Sequence, residues 1–475
     1  MRRIVIGPFR YLAGLGRATA RGWSDFFFKG ADPTPLGLIR FAVGVLATWS
    51  LFVYGLDLQE FFGTRSWADL ASVRAVQGFE KPLAWSFWFH VPDALLRPVW
   101  LLCLGVLVLF TVGAFSRVTA VFAWVIYVST VRRVPVSLFG FDQVMSTLLL
   151  YLAATGASGQ AVSLDRFASR WRQGRAIAGR RRGAEGVRWD LPSGVPSPSI
   201  SANIALRLIQ LHLCLIYGMA GLAKLQGQGW WNGLAIWGTL ASGEFRLLNF
   251  TWMAAFPWLL NALTHLSLAL EIGYPALIWV RPLRPLLLAC IVVLHLGIGL
   301  TAPGLSEFGL AMIAGNLAFV SGPWLRSLVT GVERSRPAGR VLFDGACPRC
   351  RASLALITAA DPDHLIEPLD LTAVDLGKVH PSLTREACMK AMHLVKADGD
   401  VVAGYDAVVV LGRWLPLFWP AGLIGGLPGI RMLGHRVYKM VAESRPRDVI
   451  CNDDVCLIHA PHAEKAKSTA GRGKR

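Results

Sequence analysis

The sequence predicts a multi-pass α-helical membrane bundle of about eight spans, with both termini cytoplasmic, followed by a small α/β domain. Three observations carry this. Only 16% of the 475 residues are charged and 54% are hydrophobic, whereas soluble domains carry about 25% charged residues. The 18 Trp and 24 Phe suit the aromatic belts of membrane interfaces. Near residue 340 the long apolar stretches stop and short strand and helix patterns of soluble composition begin. The net charge of +18 does not imply nucleic acid, because the basic residues gather beside apolar stretches and no basic face interleaved with aromatics appears elsewhere.

Residues 1–33 form a basic amphipathic segment. Arg10, Arg17 and Arg21 interrupt any signal-peptide core, so "FRYLAGLGRATARGWSDFFFKG" reads as a helix on the membrane surface. The bundle occupies residues 34–325. A crossing needs about 20 mostly apolar residues, and stretches 34–56 and 98–115 qualify, with Arg40 placed to snorkel. Stretches 118–131 and 144–157 are short candidates, and 204–225 carries polar groups throughout. The last three are 258–280, 285–302 and 308–325.

An even number of crossings puts both termini on one side. The basic loop 164–190, Arg281, Arg284, Arg326, Arg334, Arg336 and Arg340 all fall on that side, and only Arg132 and Arg133 oppose them. The positive-inside rule makes that side cytoplasmic. The chain is therefore expected in a bacterial inner membrane, with the lipid bilayer as its first partner and no nucleic-acid partner.

Residues 326–339 read as a linker, 340–460 as the soluble domain and 461–475 as a basic disordered tail. "VLFDGA" is a strand entering a turn, "CPRCRASLALITAAD" a helix, "LIEPLDL" a strand, and "AMHLVKADGDVVAGYDAVVVLGRW" a hairpin at Asp398-Gly399 feeding a helix. This order is that of a thioredoxin-like fold.

Cys103, Cys214 and Cys290 lie singly in apolar spans, where a cysteine acts as a small hydrophobe. Cys347 and Cys350 instead open a helix directly after a strand. A helix N-terminus stabilises a thiolate through its free amides and partial positive charge. Arg349 adds cationic character, and Pro348 suits the first turn. Cys347 is then expected to attack a partner disulfide and Cys350 to resolve the mixed disulfide. Two other readings stay open: an inert buried pair, and a four-thiolate zinc site completed by Cys451 and Cys456. Those two cysteines could also form a secondary thiol pair of their own. No metal is otherwise expected.

"VLFDGACPRCRASLALI" resembles the DCC family of thiol-disulfide oxidoreductases, and Asp344, Gly345, Cys347 and Cys350 match its strand, Asp-Gly, Cys-x-x-Cys signature. The resemblance extends over about residues 340–450, including the late "YKMVAESRPRD". It implies thiol-disulfide exchange, and the charge asymmetry makes a cytoplasmic protein partner the expectation.

Ionisable groups inside spans are costly and face the bundle interior. Arg207, His212, His265, Glu271 and His295 are such groups, and Lys224 ends an apolar helix before "WWNG". Glu271 is expected to pair with Arg207 or Lys224. A snorkelling lysine and ordinary core histidines are the plain alternatives. The stretches "DPTPLGLIRFAVGVL", "IYGMAGLAKLQGQGWWNGLAIW", "ALEIGYPALIWV" and "LHLGIGLTAPGLSEFGLAMIAGNLAFV" resemble the horizontally transferred transmembrane (HTTM) family, relatives of the vitamin K-dependent gamma-carboxylase. The resemblance places Lys224 at the position of the base that deprotonates a reduced quinone, and Glu271 where the family carries an acid. Beyond the last span no large extracytoplasmic domain of the kind that grips a carboxylation substrate is expected, which argues against protein gamma-carboxylation.

Three functions follow as expectations. The first is an integral membrane thiol-disulfide oxidoreductase coupled to a quinone or lipid-like substrate in the bundle. The second is a carboxylase- or epoxidase-like enzyme with Lys224 as base. The third is a lipid-binding or transport module with a regulatory dithiol.

Overall fold

The computed structural model describes residues 2–64, 66–67, 69–77, 85–180, 188–192, 194–241, 248–330, 337–445, 451–452 and 455–456. It divides into two compact units, Met1–Arg166 with Pro196–Leu325 and Phe167–Val195 with Arg326–Arg475. In chain order the longer helices up to residue 316 are α1 (Arg2–Phe28), α2 (Thr34–Tyr54), α3 (Asp93–Val112), α4 (Ser116–Arg133), α5 (Gly140–Thr155), α6 (Leu164–Ala178), α7 (Ile200–Lys224), α8 (Pro257–Leu277), α9 (Arg284–Thr301) and α10 (Ser306–Asn316). All but α6 belong to the first unit, and α6 runs into the second.

Among the described residues, α2, α3, α7 and α9 are long and apolar enough to cross a membrane, and there are up to six such spans if two bent helix pairs each count as one. This is fewer than the eight or so expected from apolar stretches of about 20 residues. Helix α5 has 16 residues, a rise of about 24 Å against a hydrocarbon core of about 30 Å. One of the bent pairs, Tyr405–Trp414 with Pro416–Gly425, lies in the second unit. There Ala407 and Leu411 are buried against the sheet, so its first helix is a core helix.

The core of the first unit joins Leu36, Ile39 and Val43 of α2 to Leu107 and Phe110 of α3, Met145 and Leu149 of α5, and Ile209 of α7. Two arginines inside it behave differently from the sequence reading. Arg40 does not snorkel. It is buried, and its guanidinium donates to the carbonyls of Ser158 (2.9 Å) and Val162 (2.5 Å). Arg133, one of the two that oppose the charge asymmetry, is also buried and donates to Ser66 Oγ (2.8 Å) and the Gly63 carbonyl (3.2 Å). A cation satisfied by fixed carbonyls needs no water, so neither position reports on membrane sidedness.

The second unit is built on a four-stranded sheet in the order β2-β1-β3-β4, comprising β1 (Gly339–Phe343), β2 (Ile366–Asp370), β3 (His393–Lys396) and β4 (Val401–Ala403). β1 pairs parallel with β2 and antiparallel with β3, and β3 turns into β4 at Asp398-Gly399, where Gly399 has φ 89°. Helix α11 (Pro348–Ala359) follows β1, and α12 (Tyr405–Trp414), α13 (Trp419–Gly425) and α14 (Pro428–Glu443) follow β4. Side chains alternate across β1. Val341 and Phe343 join Leu354, Leu394 and Leu411 on one face, while Leu342 joins Leu371, Leu383 and Val395 on the other.

The stretch 167–192, expected as part of a basic loop of the bundle, completes this second unit. Arg170 of α6 is buried and donates to the carbonyls of Thr358 (2.8 Å), Asp361 (3.0 Å) and Pro192 (2.9 Å). Trp189 Nε1 donates to Thr358 Oγ1 at 3.2 Å, and its ring meets Phe343 edge-on. The last carbonyls of α11 have no partners within their own helix, and Arg170 supplies them from another part of the chain.

Candidate functional site

The dithiol sits at the C-terminal end of β1, the central parallel strand, where the chain turns into α11. Asp344 shapes the turn: its Oδ1 accepts the Ala346 N–H at 3.0 Å, and its carbonyl accepts the Cys347 N–H at 3.1 Å. Gly345 donates its N–H to Asp370 Oδ1 at 3.2 Å, and a Cβ at Gly345 would collide with that carboxylate. Glycine is required here for close approach. Asp370 also accepts from Thr372 N–H and Oγ1 at 3.0 and 2.7 Å, so the carboxylate ties the end of β2 to the cysteine turn.

Cys347 is the N-cap of α11, with Pro348 at the first helical position, and its sulfur accepts the Cys350 N–H at 3.2 Å. Cys350 lies one turn on. Its sulfur receives Arg445 Nη1 at 3.5 Å, while Arg445 Nη2 is held by the carbonyls of Lys390 (2.5 Å) and Met389 (3.3 Å). Arg349, expected to be the nearby cation, is turned away and donates to Ser444 carbonyl and Oγ at 2.8 and 2.9 Å. Sequence reasoning missed Arg445. It lies in the "SRPRD" stretch, and nothing local links it to the dithiol.

Two influences oppose each other at this sulfur pair. The amide of Cys350 favours negative charge on Cys347, and the guanidinium of Arg445 favours it on Cys350. A full charge outweighs one backbone dipole, and accessibility agrees: Cys347 is 0% exposed, while Cys350 is partly open. The hydrogen bond from Cys347 and the Arg445 charge lower the Cys350 thiol to about 7, against burial. The Cys347 thiol is pushed up by donating to Cys350 and by burial. The geometry therefore favours Cys350 as the thiolate, where the sequence reading expected Cys347 to attack.

Cys350 opens on an apolar cavity of about 470 Å³ lined by Phe343, Leu354, Met392, Val409, Phe418 and Val441 among others, with Asp344, Arg349 and Arg445 also in its wall. Met392, directly before β3, donates its N–H to Tyr438 Oη at 2.9 Å. No group of three or more His, Cys, Asp or Glu side chains among the described residues could hold a metal ion. Cys451 and Cys456 are cross-strand partners in a two-stranded antiparallel ladder. Their side chains lie outside the described residues, as does the tail from residue 457.

In the first unit, Lys224 Nζ donates to Glu271 Oε2 at 2.5 Å and stands 5.2 Å from the Trp230 ring centroid. Lys224 is thus the cation that meets Glu271. Two turns back along α7, Tyr217 Oη meets His295 Nε2 at 2.8 Å and accepts from Asn316 Nδ2 at 3.2 Å, and Tyr274 Oη donates to Asn316 Oδ1 at 2.7 Å. The other expected pocket members lie elsewhere. Arg207 donates to the Phe26 carbonyl and to Gln210 Oε1, with its guanidinium 4.2 Å from the Phe26 ring centroid. His212 meets Tyr151 Oη at 3.2 Å, and His265 bonds the Asn261 carbonyl within its own helix.

Residues 341–448 match the family model of DCC1-like thiol-disulfide oxidoreductases. No curated protein and no solved structure gives a significant match to the chain. The matched segment runs from the first strand of the second unit to just beyond Arg445, enclosing the dithiol, the cavity and the cation at Cys350. The chain carries a DCC1-like thiol-disulfide oxidoreductase domain and is an oxidoreductase enzyme.

Proposed function

We propose that the protein is an integral membrane thiol-disulfide oxidoreductase in which Cys350 is the attacking thiolate and Cys347 the resolving thiol. The observation that carries this is the Arg445 guanidinium at 3.5 Å from the Cys350 sulfur, with that sulfur open to the cavity and Cys347 fully buried. In the reductive direction the Cys350 thiolate attacks one sulfur of a partner disulfide, forming a mixed disulfide and releasing the partner's other sulfur as a thiolate. Cys347 loses its proton, attacks Cys350 and expels the second partner sulfur. The partner gains two electrons, and the Cys347–Cys350 dithiol becomes a disulfide. The charge asymmetry of the loops supports a cytoplasmic partner, and the apolar helices support anchoring in a bacterial inner membrane.

Trapping in intact membranes tests this. Cys347→Ser should accumulate mixed disulfides through Cys350, and Cys350→Ser should accumulate none. The opposite pattern restores Cys347 as the nucleophile, and no adduct with either variant sinks the exchange reading.

A second reading concerns the bundle, where the ammonium–carboxylate pair of Lys224 and Glu271 stands among apolar helices. An intramembrane ion pair marks a site, and the carboxylase-like resemblance supports a quinone or other lipid-like substrate with Lys224 as base. Lys224→Met should then change the redox poise of the dithiol when quinone is limiting. An unchanged poise separates the two units functionally.

A further inference from the structure

Helix α14 is attached with its faces reversed. Amphipathic helices of soluble domains turn their apolar stripe to the core, yet none of the 16 residues of α14 is buried. Its polar side holds it in place. Arg431 donates to Asp406 Oδ1 at 2.8 Å, His435 Nε2 lies 3.2 Å from the same oxygen, and Tyr438 Oη accepts the Met392 amide. Gly434 lies against the Tyr405 ring where a Cβ would collide. The stripe made by Ile430, Leu433, Val437 and Met440, spaced three and four apart, faces outward, with Leu433 60% and Met440 63% exposed. Helix α13 continues the surface with Trp419, Leu423 and Ile424, all exposed.

We propose that the α13–α14 face is a membrane-interface element that seats the thiol domain on a lipid surface bearing anionic headgroups. A patch of this kind needs a partner, and its chemistry selects lipid over protein. The stripe is flanked by exposed Arg436 and Lys439, whereas protein interfaces are depleted in lysine. A strongly amphipathic helix of low mean hydropathy, with cations beside the apolar stripe and a tryptophan close by, is the pattern of a helix lying in the plane of the headgroups. The proposal rests on the chain being anchored by its apolar helices, which keeps a bilayer within reach at all times. Tyr438, Val441 and Ala442 of α14 also line the cavity on which Cys350 opens, so one helix serves lipid on one side and substrate on the other.

Full-length protein carrying p-benzoylphenylalanine at Leu433, Met440 or Lys439 provides the test. Each variant is reconstituted into phosphatidylglycerol–phosphatidylethanolamine liposomes, irradiated and digested. Leu433 and Met440 peptides should carry acyl-chain adducts several-fold more often than the Lys439 peptide, whose position lies at the level of the headgroups. Absence of lipid adducts at both positions, in protein whose Cys350 still alkylates, overturns the proposal. Predominant crosslinking to a protein in native membranes overturns it too. Hydrogen exchange of the unmodified protein covers the case in which the variants do not fold. The α14 amides should exchange several-fold more slowly in anionic than in phosphatidylcholine liposomes, and equal rates overturn the proposal. Lipid adducts without thiol exchange would sink the enzymatic reading and leave this one standing.

Discussion

Arg40 in the apolar helical unit and Arg170 in the thiol unit do the same work in opposite settings. Each is buried and donates to carbonyls, Arg40 to Ser158 and Val162, Arg170 to Thr358, Asp361 and Pro192. Guanidinium suits this because it is always charged and presents five donors in a rigid fork. The two units differ in how chemistry is distributed. In the thiol unit, a four-residue motif already contains both candidate sulfurs. In the helical unit, the polar groups are spread over α7, α8, α9 and α10, and only the fold decides that Lys224, and not Arg207, meets Glu271.

The comparison predicts that the two clamps are interchangeable in magnitude. Arg170→Met should cost on the order of 3 kcal/mol, given charge-assisted bonds of about 1.5–3 kcal/mol each and carbonyls left unpaired. It should show as lost protease resistance of residues 337–445 in the full chain. Arg40→Met should lower the detergent melting temperature of the helical unit by a comparable free energy. A silent Arg170→Met would break the parallel.

Gly345→Ala drives a Cβ into the Asp370 carboxylate and should cost about 1–3 kcal/mol by overpacking, read as a lower melting temperature of the thiol unit. Arg445→Gln sharpens the electrostatic side. The hydrogen bond from Cys347 and the Arg445 charge hold the Cys350 thiol below its usual value, so its alkylation, which needs the thiolate, should quicken with rising pH at a midpoint below that of an ordinary thiol. Without Arg445 the midpoint should move up by on the order of one unit, about 1.4 kcal/mol. Arg349→Gln should leave it in place, since that guanidinium is spent on Ser444. The smallest effect belongs to Lys224→Met, which should leave the alkylation midpoint of Cys350 unchanged. A shift there would show that the two units communicate.

Much of the thiol unit was legible because its signals are local. The apolar run "VLF", the apolar spacing of α11, and the Asp398-Gly399 turn each act within a few residues. The cation at Cys350 was not legible, since Arg445 lies 95 residues away and Arg349, adjacent in sequence, has the wrong direction on its helix. Asp370 was passed over for the same reason. It ends a strand, and only the parallel pairing of β2 with β1 brings it to Gly345. In the helical unit, apolar runs marked where helices form. They did not separate runs long enough to cross a bilayer from shorter ones such as α5. Two arginines counted as markers of sidedness, Arg133 and Arg170, proved to be internal clamps, which composition cannot distinguish from solvated charge.

The clamp at Arg170 also has a consequence for biosynthesis. Arg170 and Trp189 leave the ribosome well before α11, the helix they complete, has been translated. In the interval the groups of α11 that Arg170 and Trp189 meet have not yet been made, while α7 and the helices after it are being translated. The thiol unit can close only after the whole bundle has emerged, so maturation of the enzyme is ordered by chain connectivity. A fragment beginning at residue 326 would lack the stretch that satisfies the end of its own cysteine-bearing helix.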